Sequence, residues 1–367
     1  MTRSKRWCVV AAVTLLVILA PLAWRALPAD DDPVSAADLV ARVRASDGHA
    51  YSGFVESQGA LQLPVTSKFT DVGALVGERT RMRVWWRGER AWRVDKLLVS
   101  GETDLVHADA LTTQWDYEDA TARQSVDPQI RLPRTADLLP PALGHRLLED
   151  VDAGDLARLP ARRVAGRDAL GLRLSPGAPQ SSIDHVDLWV DRDTAVPLRV
   201  EVYDDAGDRN PVFVSQFRSF DPATPSVEDT SFRAPPGTDL SFEEVLDIAD
   251  AANQYAPVIP PATVGGLAKS PDADRAVGIY GTGVTQLITI PLRDREADPL
   301  REQLGTTIGS HLVEGGTVVA VGPLGLLLTG APGDGGWLIA GTVTEETLVR
   351  AAADLASGTR YVDGAGR

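Results

Sequence analysis

The sequence has one cysteine, Cys8, five histidines and two methionines, and only 6% of its residues are aromatic. With a single thiol no internal disulfide forms, which is permissible in a chain long enough to build its own core. His49, His107, His145, His185 and His311 are scattered, without H-E-x-x-H or similar metal spacing. No G-x-S-x-G elbow is present. Nucleophilic and zinc-dependent catalysis therefore have no obvious agent, and the chain reads as a non-enzyme with no cofactor and no metal site. Positive charge is also scarce, with 36 Lys and Arg against 51 Asp and Glu and a net charge of −15. Arg3, Lys5, Arg6 and Arg25 belong to residues 1–29, which hold no acid, so the remainder is more acidic than the whole. That balance repels nucleic acid and anionic lipid surfaces.

One long apolar run exists. Trp7 to Trp24 carries no charge, Arg3, Lys5 and Arg6 precede it, and Asp30-Asp31-Asp32 stand beyond it. About 18 apolar residues just cross a roughly 30 Å hydrocarbon layer, and basic residues before the run place the downstream chain outside the cytoplasm. A secretory signal has the same order with an apolar part of about 7 to 15 residues. Length favours a retained anchor at 1–29, hence a single-pass membrane protein with its bulk extracytoplasmic; a cleaved secreted form is the alternative. Cys8 lacks the small-residue setting of a lipobox.

Beyond this run the pattern is β-rich. Ser35 caps a short amphipathic helix with Leu39, Val40 and Val43 on one face. Tyr51 to Ser57 reads as a strand. In 81–87, Met82, Val84 and Trp86 share one side and Arg81, Arg83 and Arg87 the other; Gly88-Glu89 turns the chain, and Trp92 and Val94 alternate against charge on the return. Further strands are expected at 104–108, 112–117, 120–126, 162–164 and 170–174. Three more close an antiparallel meander, with Val186, Leu188 and Val190, then Leu198, Val200 and Val202, then Phe213, Ser215 and Phe217 alternating with their neighbours. Between them, 135–148 is rich in leucine and broken by Pro140-Pro141, which suggests two short helical turns lying on the apolar sheet face as a lid. Phe242 to Asp250 reads as an acidic helix. A Pro- and Gly-rich linker at 256–270 separates a large domain, 34–255, from a small one, 271–358, with strands at 277–280, 284–290, 316–321, 324–329 and 337–340 and a terminal helix capped by Thr344.

Leu188-Trp189-Val190-Asp191-Arg192-Asp193-Thr194-Ala195-Val196-Pro197-Leu198-Arg199-Val200-Glu201, the late Thr230-Ser231-Phe232-Arg233-Ala234-Pro235-Pro236-Gly237, and the tail segments 283–290 and 341–350 resemble MucB/RseB-type sigma-factor regulators, of the LolA-like lipoprotein-carrier superfamily. The resemblance implies an α+β fold: a large antiparallel half-barrel sheet with covering helices, plus a small C-terminal α+β domain. It also implies an apolar cavity for an acylated lipid or lipoprotein, and docking onto the extracytoplasmic part of an anti-sigma factor. The function it implies is a membrane-tethered sensor in sigma-factor regulation. A lipid or lipoprotein carrier is the alternative, disfavoured by the extra C-terminal domain, and a hydrolase is a more distant one.

Candidate cavity residues are Val55, Met82, Val84, Trp86, Trp92, Val94, Trp115, Leu138, Leu139, Leu143 and Leu147, all equally readable as ordinary core. Arg81, Arg83 and Arg87 are candidates for docking an acidic partner segment. Asp184, His185 and Asp187 read as surface groups, since strand alternation puts Asp184 on the wrong side for a shared metal. The acidic stretch 150–155 lacks the calcium-loop pattern, Ala161 standing where its glutamate belongs. Gly278 to Gly283 is not G-x-G-x-x-G and is expected as a turn between strands, overlapping the end of the strand expected at 277–280.

Overall fold

The computed structural model describes residues 28–59, 77–128, 131–205, 207, 210–243, 245, 248–271 and 276–362. The apolar run at 7–24 lies outside them. Among the described residues no helix is long and apolar enough to cross a membrane. The helix Glu345–Gly358, with 14 residues, spans only about 21 Å at about 1.5 Å per residue. The expected single-pass membrane localisation is corrected accordingly.

Twelve strands form one sheet: β1 (Tyr51–Gly59), β2 (Arg79–Gly88), β3 (Ala91–Leu97), β4 (Glu102–Ala108), β5 (Leu111–Asp116), β6 (Thr121–Val126), β7 (Leu156–Val164), β8 (Arg167–Leu174), β9 (Ile183–Asp191), β10 (Pro197–Asp204), β11 (Phe213–Asp221) and β12 (Asp239–Phe242). Their order is β12-β6-β5-β4-β3-β2-β1-β11-β10-β9-β8-β7. The chain thus makes two meanders joined where β1 pairs antiparallel with β11. Every pairing is antiparallel except β12, which runs parallel to β6 at the outer edge.

Alternation gives the sheet two unlike faces. On one, Val55, Met82, Val84, Val94, Leu172, Leu188, Leu198 and Val200 are buried. Helix α1 (Ala36–Ala45) lays Leu39, Val40 and Val43 on the β8–β10 part of this face, and Ser35 Oγ caps it by accepting from Asp38 N at 3.1 Å. Next to it lie a 3₁₀ turn, Thr135–Leu138, and helix α2 (Pro140–Leu147). These are the two short helical turns expected, with Pro140 and Pro141 opening the second, where a missing N–H costs nothing.

The second unit has strands β13 (Gly278–Thr282), β14 (Thr285–Leu292), β15 (His311–Val313), β16 (Gly316–Val321), β17 (Leu324–Thr329) and β18 (Gly336–Gly341), in the order β13-β14-β18-β17-β16-β15. Val319 and Leu328 pack with Ala297 and Leu304 of the helix Asp294–Thr306, while Val318 and Leu327 pack with Leu348 and Leu355 of Glu345–Gly358. The two helices therefore cover opposite faces. Thr344 Oγ1 accepts from Thr347 N, as the capping pattern requires. Ser182 N donates to Thr342 O and Thr344 N to Gln180 O, and Val284 joins the core of the large unit, so the two sheets touch at the start of β9. The α+β architecture expected from the sequence, a large sheet with covering helices and a small C-terminal unit, is the one found.

Several elements differ from expectation: Gly278–Thr282, expected as a turn, is strand β13, and β15 is not anticipated. Phe242 ends strand β12, and the helix expected at 242–250 is instead Ile248–Tyr255. The helix Asp294–Thr306 is unanticipated because it buries only Ala297 and Leu304 and carries Pro299 inside. Strand β7 begins at Leu156, six residues earlier than its last three residues alone suggested.

Candidate functional site

The apolar face under 135–148 gathers most of the residues picked from the sequence. Val55, Met82, Val84, Trp92, Val94, Leu138 and Leu139 form one buried cluster, with Trp86 and Leu143 half-buried against it. Leu147 packs with the neighbouring cluster around α1. Trp115 does not join them. It is opposite Asp104 and Ala122 in the sheet, so it points to the other face, where its ring meets Phe232 at 5.8 Å. That face is crossed by the strap after β11: Arg87 donates to Pro225 O, and Phe232, from the motif near the Pro-Pro-Gly, seats on Trp115.

A row of stacked rings runs across four strands of the apolar face. Tyr51 and Trp86 lie 6.0 Å apart, Trp86 and Trp92 5.7 Å, and Trp92 and His107 5.2 Å, with planes within 12° of parallel. The rings cover one another's faces and present edges, which suits an apolar chain lying along them. Burial pushes the Tyr51 phenol up and the His107 imidazole down, so both stay neutral near pH 7.

The roof buries Ala136, Leu138 and Leu139 against this face and is fastened at its margins by polar contacts. Ser215 Oγ donates to Leu138 O at 2.5 Å. Arg131 grips Asp137 through both terminal nitrogens at 2.7 and 2.9 Å. Arg44 donates to Leu148 O. Ser215 thus ties the roof to β11, Arg44 and the pair of His145 Nδ1 with Asp47 Oδ1, 2.7 Å apart, tie it to α1 and the turn after it, and Arg131 braces its first turn.

His145 invites a chemical test, because its Nε2 lies 3.3 Å from Ser46 Oγ and completes a Ser-His-Asp sequence with Asp47. Nε2 also lies 3.0 Å from Val43 O. A carbonyl only accepts, so a hydrogen bond here needs the proton on Nε2, and with it there no lone pair faces the serine. Ser46 Oγ itself donates to Val43 O at 2.7 Å. The trio closes the end of α1 and is not arranged to activate a nucleophile. No sequence signal marks it, since His145 is distant from the other two along the chain.

On the opposite face, carboxylates lie beneath arginines. Glu56 is held by Arg79 and Arg218; burial works to raise its pKa, but the hydrogen bonds from Arg218 and Arg79 prevail and hold it below the usual range. Asp187 takes two bonds from Arg173, at 2.6 and 2.8 Å. His185 stacks on Tyr203 at 4.2 Å, and its Nδ1 meets Asp184 Oδ2. Arg83, expected at a docking surface, is spent on Glu102 and Asp95, and Arg87 on Pro225; Arg81 is exposed.

Asp95, Glu102 and Asp104 bring carboxylate oxygens within 4.8 Å of one another. Arg93 donates to Asp95 Oδ1 and Asp104 Oδ2, each at 2.6 Å, while Asp95 Oδ2 and Asp104 Oδ1 have no hydrogen-bond partner among the described residues. Three carboxylates facing Arg83 and Arg93 leave one negative charge over. One proton balances it, whereas a divalent cation overshoots. Burial, then the charge of Asp95, pushes the Asp104 carboxyl up to about 7, so the facing carboxylates share the proton. The register across the short connection 98–101, with Leu97 opposite Glu102, was the signal that places Asp95 opposite Asp104.

No family model matches the sequence, and no curated protein does. Among solved structures the chain is similar to MucB in complex with MucA(peri), at 18% identity and a TM-score of 0.49, over 90% of this chain and 100% of that one. The MucA/MucB complex of Pseudomonas aeruginosa gives the same identity and score over 90% and 99%. A LolA superfamily protein of Nitrosomonas europaea is similar at 13% identity and a TM-score of 0.24, over 54% of this chain and 98% of that one.

Proposed function

We propose that the chain is a ligand-binding regulator. An acyl chain of a lipid or lipoprotein enters between the sheet and the segment 135–148, and the extracytoplasmic segment of an anti-sigma factor is the protein it acts on. The observation that carries the first part is the roof: a wide apolar face, with its row of aromatic edges, is covered by one 3₁₀ turn and one short helix held at their margins by polar bonds. Raising this roof exposes apolar surface to the entering chain instead of to water, so ligand burial offsets the lost packing. The partner class comes from the motifs at 188–201 and 230–237 and their resemblance to MucB/RseB-type regulators. Exposed Arg81 is its candidate contact.

The test uses the purified chain and a fluorescent C16 fatty acid. Saturable binding is expected, together with acyl chains in a solvent extract of the protein read by mass spectrometry. Trp86→Asp places a charge among the half-buried rings and should weaken probe binding at least tenfold while the circular dichroism spectrum is kept. Unchanged affinity in that folded variant removes the apolar face as the site. Failure to bind the extracytoplasmic segment of any anti-sigma factor encoded in the same genome removes the partner.

A further inference from the structure

The outer edge of the large sheet is open. Strand β12 pairs with β6 on one side only, and among the described residues nothing pairs with its other side. In this parallel pair Asp239 N donates to Ala120 O at 3.0 Å and Glu243 N to Gln124 O at 2.8 Å. Main-chain groups alternate along a strand, so those of Leu240 and Phe242 point away from β6, outward. An unpaired row of donors and acceptors is a template for another strand, and soluble proteins usually blunt or cover it.

The side chains on this edge are not those of a blunted one. Leu240 is 53% exposed and Phe242 66%. Register places them on the same face as Val126, Leu111 and Trp115, with Leu240 beside Ala122 and Phe242 beside Gln124. Val126 is itself 53% exposed. This strip lies on the face opposite the one assigned to the acyl chain. Around it the exposed charge is mainly acidic: Glu118 and Asp119 precede β6, and Asp239 and Glu243 bracket the strand, all exposed. Arg123, on the same strand pair, is bound to Asp116 and lies 3.9 Å from Glu243, which leaves the acids in excess.

That arrangement selects the occupant. A second copy adding to this edge about a two-fold axis would pair antiparallel and set Asp239 of each chain against Glu243 of the other, like charge on like charge. We infer that β12 is a docking edge for an extended segment of another protein, with apolar residues at alternate positions and lysine or arginine between and around them. Main-chain bonds to Leu240 and Phe242 supply the pairing, the apolar strip reads the alternate side chains, and the acidic rim selects basic flanks.

The test is binding of the full chain to an acetylated, amidated decapeptide of alternating valine and lysine, with the valine–glutamate decapeptide as control. Leu240→Pro removes one outward N–H and spares the bonds that Asp239 and Glu243 make to β6; Phe242→Lys sets a positive charge in the strip at an exposed position where folding is not at stake. The lysine peptide should bind, more weakly as salt rises, and should slow amide exchange at Leu240 and Phe242. Each variant, and the glutamate peptide, should bind at least tenfold more weakly. Equal affinity for the two peptides, or unchanged affinity in both folded variants, overturns the proposal. So does protection of the Leu240 amide in the free protein, which would mean that the chain itself fills the edge, or a dimer in sedimentation that Phe242→Lys dissociates. None of these outcomes bears on fatty-acid binding at the other face.

Discussion

Asp104→Asn separates the proton held between β3 and β4 from everything else that titrates. Asp104 is nearly buried opposite Asp95, with one oxygen on Arg93 and the other without a partner among the described residues. Its carboxyl is raised to about 7 by burial and then by Asp95, against about 3.9 in an unfolded chain. A raised pKa means that the folded state holds the proton more tightly. The contribution is fully present below the unfolded value and is lost as pH climbs through the folded one. Three units at about 1.4 kcal/mol each give a loss approaching 4 kcal/mol between about pH 4 and pH 7. Asparagine imitates the protonated acid, its oxygen accepting from Arg93 and its amide donating towards Asp95. The expected result is equal stability of wild type and variant near pH 4, a gap that widens through pH 5 and 6, and a more stable variant at pH 8. Urea unfolding followed by tryptophan fluorescence at each pH measures it, and other titrating groups cancel in the difference. Parallel stability curves for the two proteins from pH 4 to pH 8 would refute the shared proton.

Three further substitutions address the packing. Gly144→Ala on α2 should destabilise despite alanine's better helix propensity, by about 1 to 3 kcal/mol, because the new methyl would sit 2.6 and 2.9 Å from the Pro197 ring; a raised urea midpoint would show that the roof yields there. Met82→Ala, at a fully buried position in the cluster beneath the roof, should cost about 2 to 5 kcal/mol, and a smaller loss in the presence of a fatty acid than in its absence would show the ligand filling the space. Thr344→Ala removes the oxygen that accepts from Thr347 N and should cost about 1 kcal/mol, with Thr344→Ser close to neutral in the same thermal melt.

The parts of this molecule legible in the sequence are those governed by short-range period. Val186, Leu188 and Val190 alternate in the chain and are all fully buried in β9, and the strands at 316–321 and 324–329 fall where alternation put them. The helix ends at Ser35 and Thr344 were legible because a hydroxyl at the cap has a local reason to be there. What was hidden depends on contacts between distant segments. Trp115 alternates correctly within its own strand, yet which face of β5 meets the roof is settled only by pairing with β4 and β6. The four-residue strand β12 has no buried face of its own, so no pattern marks it. Arg83 and Arg87 look like free cations until the partners at Glu102 and Pro225 arrive from other strands and loops.

A chain with a net charge of −15 would be expected to meet partners as a uniformly acidic surface, and the sheet shows why it does not. Glu56, Asp95, Asp104, Asp187, Asp191 and Glu201 are buried at the level of the strands, while Arg79, Arg162 and Arg218, which neutralise some of them, lie half-exposed above. Burying an ionised carboxylate costs several kcal/mol unless it is paired and hydrogen-bonded, so each must keep its arginine, and the arginine's long stem covers it from water. The outward charge of that face is therefore set by guanidinium groups. Exposed acids collect instead in turns and at the β12 edge, at Glu118, Asp119, Asp239 and Glu243. On the readings proposed above, the two regions attract segments of opposite sign, a basic one at the edge and an acidic one at Arg81 on the arginine face, and added salt should weaken both attractions. On those readings a partner's own charge pattern decides which part of the sheet it reaches first.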